Sequence, residues 1–282
     1  MANDAMRENW AEGALGWVAN ERIFDHVYTP VTDVLIAAAD LAGASRVLDV
    51  GCGTGALLAR AVATGAEAVG VDISEAMTSA ARERVPEARV ETADAQVADL
   101  AAAGPFDRVI SRFGVMFFDD PVAAFANLAA ATSPGGRLAF VCWRAEETAA
   151  FDLGLEPLRA RLPDGALPPP QPGVPGPLGF ADGARIRRVL NDSGWAGIEV
   201  APIDVPCEYG IDGTDGVDAR VAVALAGSIG RTARARLEPE LGADGWEALV
   251  DEMRADLRTR VIGGAVRFEA HIWLVTASRP GG

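Results

Sequence analysis

The sequence predicts an α/β protein with a parallel sheet covered by helices on both faces. Two observations carry that prediction. Short apolar runs alternate with helical patterns from residue 46 to residue 143, and such alternation builds right-handed strand–helix–strand units. A glycine-rich turn at 51–55 also stands at the first strand-to-helix junction, where α/β sheets present a ligand crevice.

The elements follow in order. Residues 1–43 read as an amphipathic helical cover, with Trp10, Trp17, Phe24 and Tyr28 among charged neighbours. Pro30 is expected to start the second of its helices, which Gly43 closes. Strands are predicted at 46–50, 68–72, 89–92, 106–111 and 137–143, with helices at 56–63, 74–85 and 121–131. The turn Ser133-Pro134-Gly135-Gly136 precedes the fifth strand. Residues 163–179 then hold seven prolines and four glycines, too irregular for a core segment and expected to form a surface lid. A helix at 184–192, a strand at 198–205, charged helices at 217–226 and 231–260, and a last strand at 266–276 complete the chain. The expected organisation is a cover over 1–43 and one domain over 44–282, with inserts at about 145–183 and 210–262.

Composition narrows the function. The 282 residues carry a net charge of −15 with no basic tract, so a nucleic acid would be repelled. No apolar run has the length of a membrane span, and no signal-peptide pattern is apparent. Cys52, Cys142 and Cys207 are odd in number and widely spaced, without metal-ligand spacing. A cytoplasmic protein without a metal, monomeric or homodimeric, is expected.

The chemistry centres on Asp49-Val50-Gly51-Cys52-Gly53-Thr54-Gly55. Glycines there tolerate unusual φ and let a ligand approach the backbone. Asp72 ends the next strand, seventeen positions after Gly55, placed to accept hydrogen bonds from ribose hydroxyls. Ser74 is available to cap the following helix, which leaves Asp72 spare. Dinucleotide sites prefer G-x-G-x-x-G, whereas the spacing here is G-x-G-x-G with a carboxylate beside it. Asp49 would repel a pyrophosphate and suits a ligand bearing a cationic amino group and a sulfonium, which points to S-adenosylmethionine.

The loop resembles the first motif of the class I S-adenosylmethionine-dependent methyltransferases. Asp72-Ile73-Ser74 with Met77 resembles their second motif, and Asp94-Ala95 the adenine-contacting one. Residues 106–113 and 133–138 are similar to their fourth and fifth strand regions. Trp10, Trp17, the proline-rich insert, Gly194-Trp195 and 273–276 are similar, more loosely, to a bacterial branch of small-molecule methyltransferases. The resemblance implies a Rossmann-like, mostly parallel seven-stranded sheet with an antiparallel last strand. Gly51 and Gly53 would face the methionine part, Asp72 the ribose, Ile73 and Met77 the adenine ring, Asp94 and Ala95 its edge, and Ser111 the amino-acid end. Cys52 is read as a small loop filler.

Methyl transfer by in-line displacement needs alignment above all, and a base only when the acceptor must lose a proton. His26 and Tyr28 are the candidate bases; a pocket-lining or surface histidine is the plainer reading of His26, and His271 reads as structural. Phe113, Met116, Phe117 and Trp143 could line an acceptor pocket or simply pack beneath the helices. Trp10 and Trp17 could close over the sulfonium or only pack. Arg112 and Arg144 could grip an anionic acceptor, although Arg112 could instead pair with Asp119. The expected acceptor is a small molecule, such as a secondary metabolite or a quinone-like compound. A nicotinamide-dependent oxidoreductase explains the glycines but not Asp49, and a protein that binds the cofactor without transferring methyl stays open.

Overall fold

The computed structural model describes residues 3–144, 149–163, 165–166 and 171–281. Two helices, α1 (Asp4–Ala19) and α2 (Glu21–Ala39), precede the first strand. Pro30 lies inside α2 and does not begin a helix. It removes one intrahelical N–H, ordinarily a serious loss. Phe24, Val27, Tyr28, Val31, Leu35 and Ala39, however, make one buried stripe through both halves of α2. Packing that stripe on the sheet keeps the helix continuous, and the break falls at Asn20 instead.

Five parallel strands form the frame: β1 (Arg46–Val50), β2 (Glu67–Asp72), β3 (Arg89–Thr92), β4 (Phe106–Arg112) and β5 (Thr132–Trp143). Val47, Leu48, Val69, Val71, Val109, Ile110, Leu138 and Phe140 are all buried, as strands covered on both faces require. Helices α3 (Ala56–Val62), α4 (Glu75–Arg84) and α5 (Pro121–Ala131) connect them. The turn at 133–136 falls within β5. Phe106 pairs with Thr132 and Arg108 with Arg137, so the intervening residues bulge outward, with Gly135 at φ +77°.

After β5 come two single-turn helices, α6 (Ala149–Asp152) and α7 (Glu156–Arg159), then α8 (Gly183–Asp192) and β6 (Ala196–Glu208). Part of the expected lid, including Pro168 to Pro170, lies outside the described residues. The described remainder docks on the loop after β4, where the Gly176 N–H donates to the Met116 carbonyl at 3.1 Å. Helix α9 (Val217–Ala226) leads into α10 (Ser228–Arg258), which kinks at Gly242. The two-residue β7 (Val261–Ile262) turns back onto β8 (Ala265–Ser278).

The sheet order is β3-β2-β1-β4-β5-β8-β6, with β8 antiparallel to both neighbours. The inverted last strand is as expected, and β7 adds an eighth, short strand to the seven. The order reverses between β1 and β4, so a crevice opens at the carboxyl ends of these strands, next to the glycine loop.

Candidate cofactor cleft and acceptor cavity

The loop after β1 takes its shape from three glycines at φ +67°, +53° and +88°, Gly51, Gly53 and Gly55. A Cβ on Gly51 would lie 2.7 Å from the Cα of Gly114, so this turn and the loop after β4 can meet only through glycine. Gly55 instead faces Ala81 of α4 and Val85 just beyond its end. Cys52 is buried against β2, where a Cβ on Gly70 would come 2.9 Å from its sulfur.

Asp72 is not spare. Its Oδ2 accepts from the Gly53 N–H and its Oδ1 from the Ser74 N–H, both at 2.9 Å. The carboxylate therefore clamps the glycine loop to the end of β2, while Ser74 caps Met77. Each oxygen keeps a further lone pair, enough to accept from a ribose hydroxyl. Burial raises the carboxyl above its ordinary value, against the opposing N–H groups of Ser74, Gly53 and Ile73.

Asp49 is different. It is 1% exposed at the end of β1, and neither of its carboxylate oxygens has a hydrogen-bond partner. Burial pushes its pKa up to about 8, with the Arg112 guanidinium pulling down and Asp72 adding to the rise. A buried carboxylate is costly unless something cationic meets it. Asp94 also has one unpartnered buried oxygen; its other oxygen accepts from the Gln96 N–H and the Asn3 side-chain amide.

These groups line one cleft. Of the expected cofactor residues, Asp49, Gly51, Cys52, Gly53, Asp72, Ile73, Met77, Asp94, Ala95 and Arg112 border it, and Trp10 and Trp17 close it from α1. Gly55 and Ser111 do not. Gly55 faces α4, and the Ser111 hydroxyl donates to the Val50 carbonyl at 2.7 Å while accepting from the Gly114 N–H, so it fixes the two loops from behind. The free carboxylate of Asp49, the loop without side chains and the open oxygen of Asp94 fit a cationic amino acid joined to a nucleoside.

A second cavity of about 340 Å³ adjoins the cleft, and Trp10, Trp17, Phe113 and Phe117 border both. Its walls are aromatic: Phe113 stacks on Trp143 at 4.5 Å, and Tyr28 meets both rings edge-on. Phe113 sits at φ +65°, a backbone conformation that costs a non-glycine residue about 1–2 kcal/mol. That strain turns its ring toward both cavities. Phe113, Met116, Phe117, Trp143 and Tyr28 line this space.

Three expectations fail here. Arg144 is not at the cavity; it pairs with Asp204 at 3.1 Å and lies over Trp273. Arg112 does not pair with Asp119. Its guanidinium donates to Thr32 at 2.7 Å and faces Tyr28, while Asp119 is held by Asn3. His26 borders neither space. His271 hydrogen-bonds Asp204 on the sheet at 2.7 Å. Sequence reasoning missed Asn3, Tyr209, Arg220 and Arg231. Arg220 and Arg231 look like any other residues of α9 and α10, and no local pattern marks Asn3, just before α1, or Tyr209, just after β6.

Fold, loop and orphaned carboxylate together define a class of protein. Residues 47–136 match the family model described as a methyltransferase domain. That segment, which holds the glycine loop and most of the cleft, resembles the class I S-adenosylmethionine-dependent methyltransferases. Among curated relatives, trans-aconitate 2-methyltransferase of Variovorax paradoxus is 37% identical over 42% of this chain and 46% of its own length. Aklanonic acid methyltransferase of a Streptomyces species is 32% identical over 43% and 58%. An uncharacterised Mycobacterium tuberculosis protein is 33% identical over half of each chain. The chain thus matches about half the length of these relatives. Among solved structures, YcgJ of Bacillus subtilis superimposes with a TM-score of 0.53 at 18% identity, over 89% of this chain and 98% of its own. The [4+2]-cyclase SpnF does so with 0.50 at 19%, over 89% and 81%. At those identities they speak for the fold alone.

Proposed function

We propose that the chain transfers a methyl group from S-adenosylmethionine to a small molecule held in the aromatic cavity. The observation that carries this reading is the buried, unpartnered carboxylate of Asp49 beside a glycine loop. A diphosphate in that position would meet a carboxylate; a cationic amino group would neutralise it.

When bound, the cofactor supplies a methyl group already activated on a sulfonium. The chain's part is placement. Asp49 would hold the amino group, Asp72 the ribose, and Asp94 the adenine edge, with Met77 and Ile73 beside the ring. Trp10 and Trp17 exclude water from α1, and Phe113 orients the acceptor at the junction of the two cavities. Such alignment can account for roughly 7–11 kcal/mol of barrier in favourable cases.

No Asp, Glu or His is among the described residues lining the acceptor cavity. Burial holds the Tyr28 phenol far above its ordinary value, so it is a hydrogen-bond donor and not a base. We read the acceptor as one that arrives nucleophilic or loses its proton to water. Turnover should then follow the acceptor's own ionisation, and His26→Ala should leave the pH profile in place. The relatives that act on trans-aconitate and aklanonic acid are named for small organic acids, which supports a small-molecule acceptor.

The test is direct. S-adenosylhomocysteine, and not NAD(H) or NADP(H), should raise the melting temperature of the purified protein. A panel of aromatic acceptors incubated with S-adenosylmethionine should then show a mass gain of one methyl group. Stabilisation by the dinucleotides alone overturns the cofactor assignment, and cofactor binding without mass gain on any acceptor overturns transfer.

A further inference from the structure

The described residues lining the acceptor cavity have a charge balance opposite to that of the chain around them. The protein carries −15, yet the charged side chains lining this cavity are Arg220 and Arg231, with no acid among the described residues. Arg220 projects from α9 and is 3% exposed. It donates to the Phe151 carbonyl at 3.1 Å and lies 5.7 Å from the centre of the Tyr209 ring. It forms no ion pair, and its Nε has no partner at all. A buried guanidinium with only neutral partners leaves its charge uncompensated.

A second cationic feature faces the same space. Helix α10 begins at Ser228 with no side-chain cap, and Ser228 and Ile229 border the cavity. Its first N–H groups thus present the positive end of the helix dipole. Arg231, one turn along, donates to the Ala226 carbonyl at 2.6 Å and has no carboxylate partner. The two arginines border the outer cavity but not the cofactor cleft, whereas Phe113 and Phe117 border both.

We propose that the acceptor has an apolar, aromatic body and carries an anionic group, such as a carboxylate, seated at Arg220, Arg231 and the start of α10. The anion is a remote anchor, and the methylated atom lies at the other end, beside Phe113. Tyr28, Trp143 and Tyr209 enclose the body. Guanidinium groups suit a carboxylate because their planar N–H pairs match its two oxygens. This inference rests on the methyltransferase reading for the direction in which the acceptor points.

The experiment is calorimetric titration of the S-adenosylhomocysteine-loaded protein with naphthalene-2-carboxylate and with its neutral isostere, naphthalene-2-carboxamide. The carboxylate should bind at least about tenfold more tightly. Arg220→Gln should reduce that preference to less than about threefold, and Arg231→Gln should reduce it partly. Unchanged adenosylhomocysteine affinity in both variants shows that they remain folded. Equal affinity for acid and amide, no measurable binding of either, or a preference that survives both substitutions overturns the proposal. Failure of the wild-type protein to bind adenosylhomocysteine would instead overturn the methyltransferase reading, with the anion preference then read on the unliganded protein.

Discussion

At the scale of single residues, Asp49 carries opposing demands. Its folded pKa, about 8, lies well above the ordinary carboxylate value, so the unliganded protein holds it mostly neutral at pH 7. A raised carboxyl contributes its full stability below the unfolded pKa and loses it as pH rises through the folded value. Asp49→Asn, which carries no charge at any pH, should therefore stabilise the unliganded protein most at pH 8 and above, by at least about 1 kcal/mol or about 2 °C in Tm. The same substitution should weaken adenosylhomocysteine binding by about 1.5–3 kcal/mol, the worth of a charged hydrogen bond. In the native protein that affinity should climb with pH towards about 8, because the ammonium selects the ionised carboxylate, and in the variant the climb should vanish. Calorimetry across that range checks both effects; a destabilised variant with undiminished affinity would show that Asp49 is structural. This residue was legible in the sequence because its chemistry is written in spacing: a carboxylate two positions before the first of three alternating glycines. Arg220 was not. Its neighbours in α9 alternate as in any amphipathic helix, and only the fold brings it to Tyr209 and Phe151. Asp72 lies between these cases, since its position predicted a ribose contact but its two bonds to the Gly53 and Ser74 N–H groups are tertiary facts.

At the scale of elements, the seam between α1 and α9 sets the position of Trp10 and Trp17, which border both cavities. Gly16 of α1 sits so close to α9 that a Cβ there would lie 2.8 Å from the Ala226 Cβ and 2.9 Å from its carbonyl oxygen. Neither atom can swing aside, so Gly16→Ala must push α1 outward. Because Trp10 and Trp17 ride on α1, the cleft should loosen: adenosylhomocysteine should dissociate about tenfold faster, with the fold retained. Stopped-flow tryptophan fluorescence reads the rate, and an unchanged rate would mean that α1 does not hold the cofactor in. The sequence indicated helices here but not their boundaries. Pro30 was taken for a helix start because proline suits a first turn, yet the stripe from Phe24 to Ala39 outweighed that local preference. Strands fared better, since runs such as 46–50 and 106–111 have no competing helical periodicity.

At the scale of the whole molecule, the long excursions after β5 share their core with the sheet. Leu237, Trp246, Leu249, Met253 and Leu257 of α10 belong to one continuous buried cluster with Leu48, Ile110 and Phe140 of the sheet. Arg220, on the adjoining α9, bonds back to Phe151 beyond β5. The sheet itself ends on β6 and β8, which flank the α9–α10 excursion in sequence and pair with each other along most of their length. A segment whose two ends are hydrogen-bonded strands and whose apolar face is shared cannot melt without exposing the main core. Thermal unfolding should therefore be a single cooperative transition, with calorimetric and van't Hoff enthalpies in agreement. Adenosylhomocysteine at a hundredfold excess over its Kd should move that transition as a whole, by about 2.7 kcal/mol of added stability. An earlier, ligand-insensitive transition would show that α9 and α10 unfold on their own. The acceptor cavity, which they wall, would then be assembled separately from the cofactor cleft.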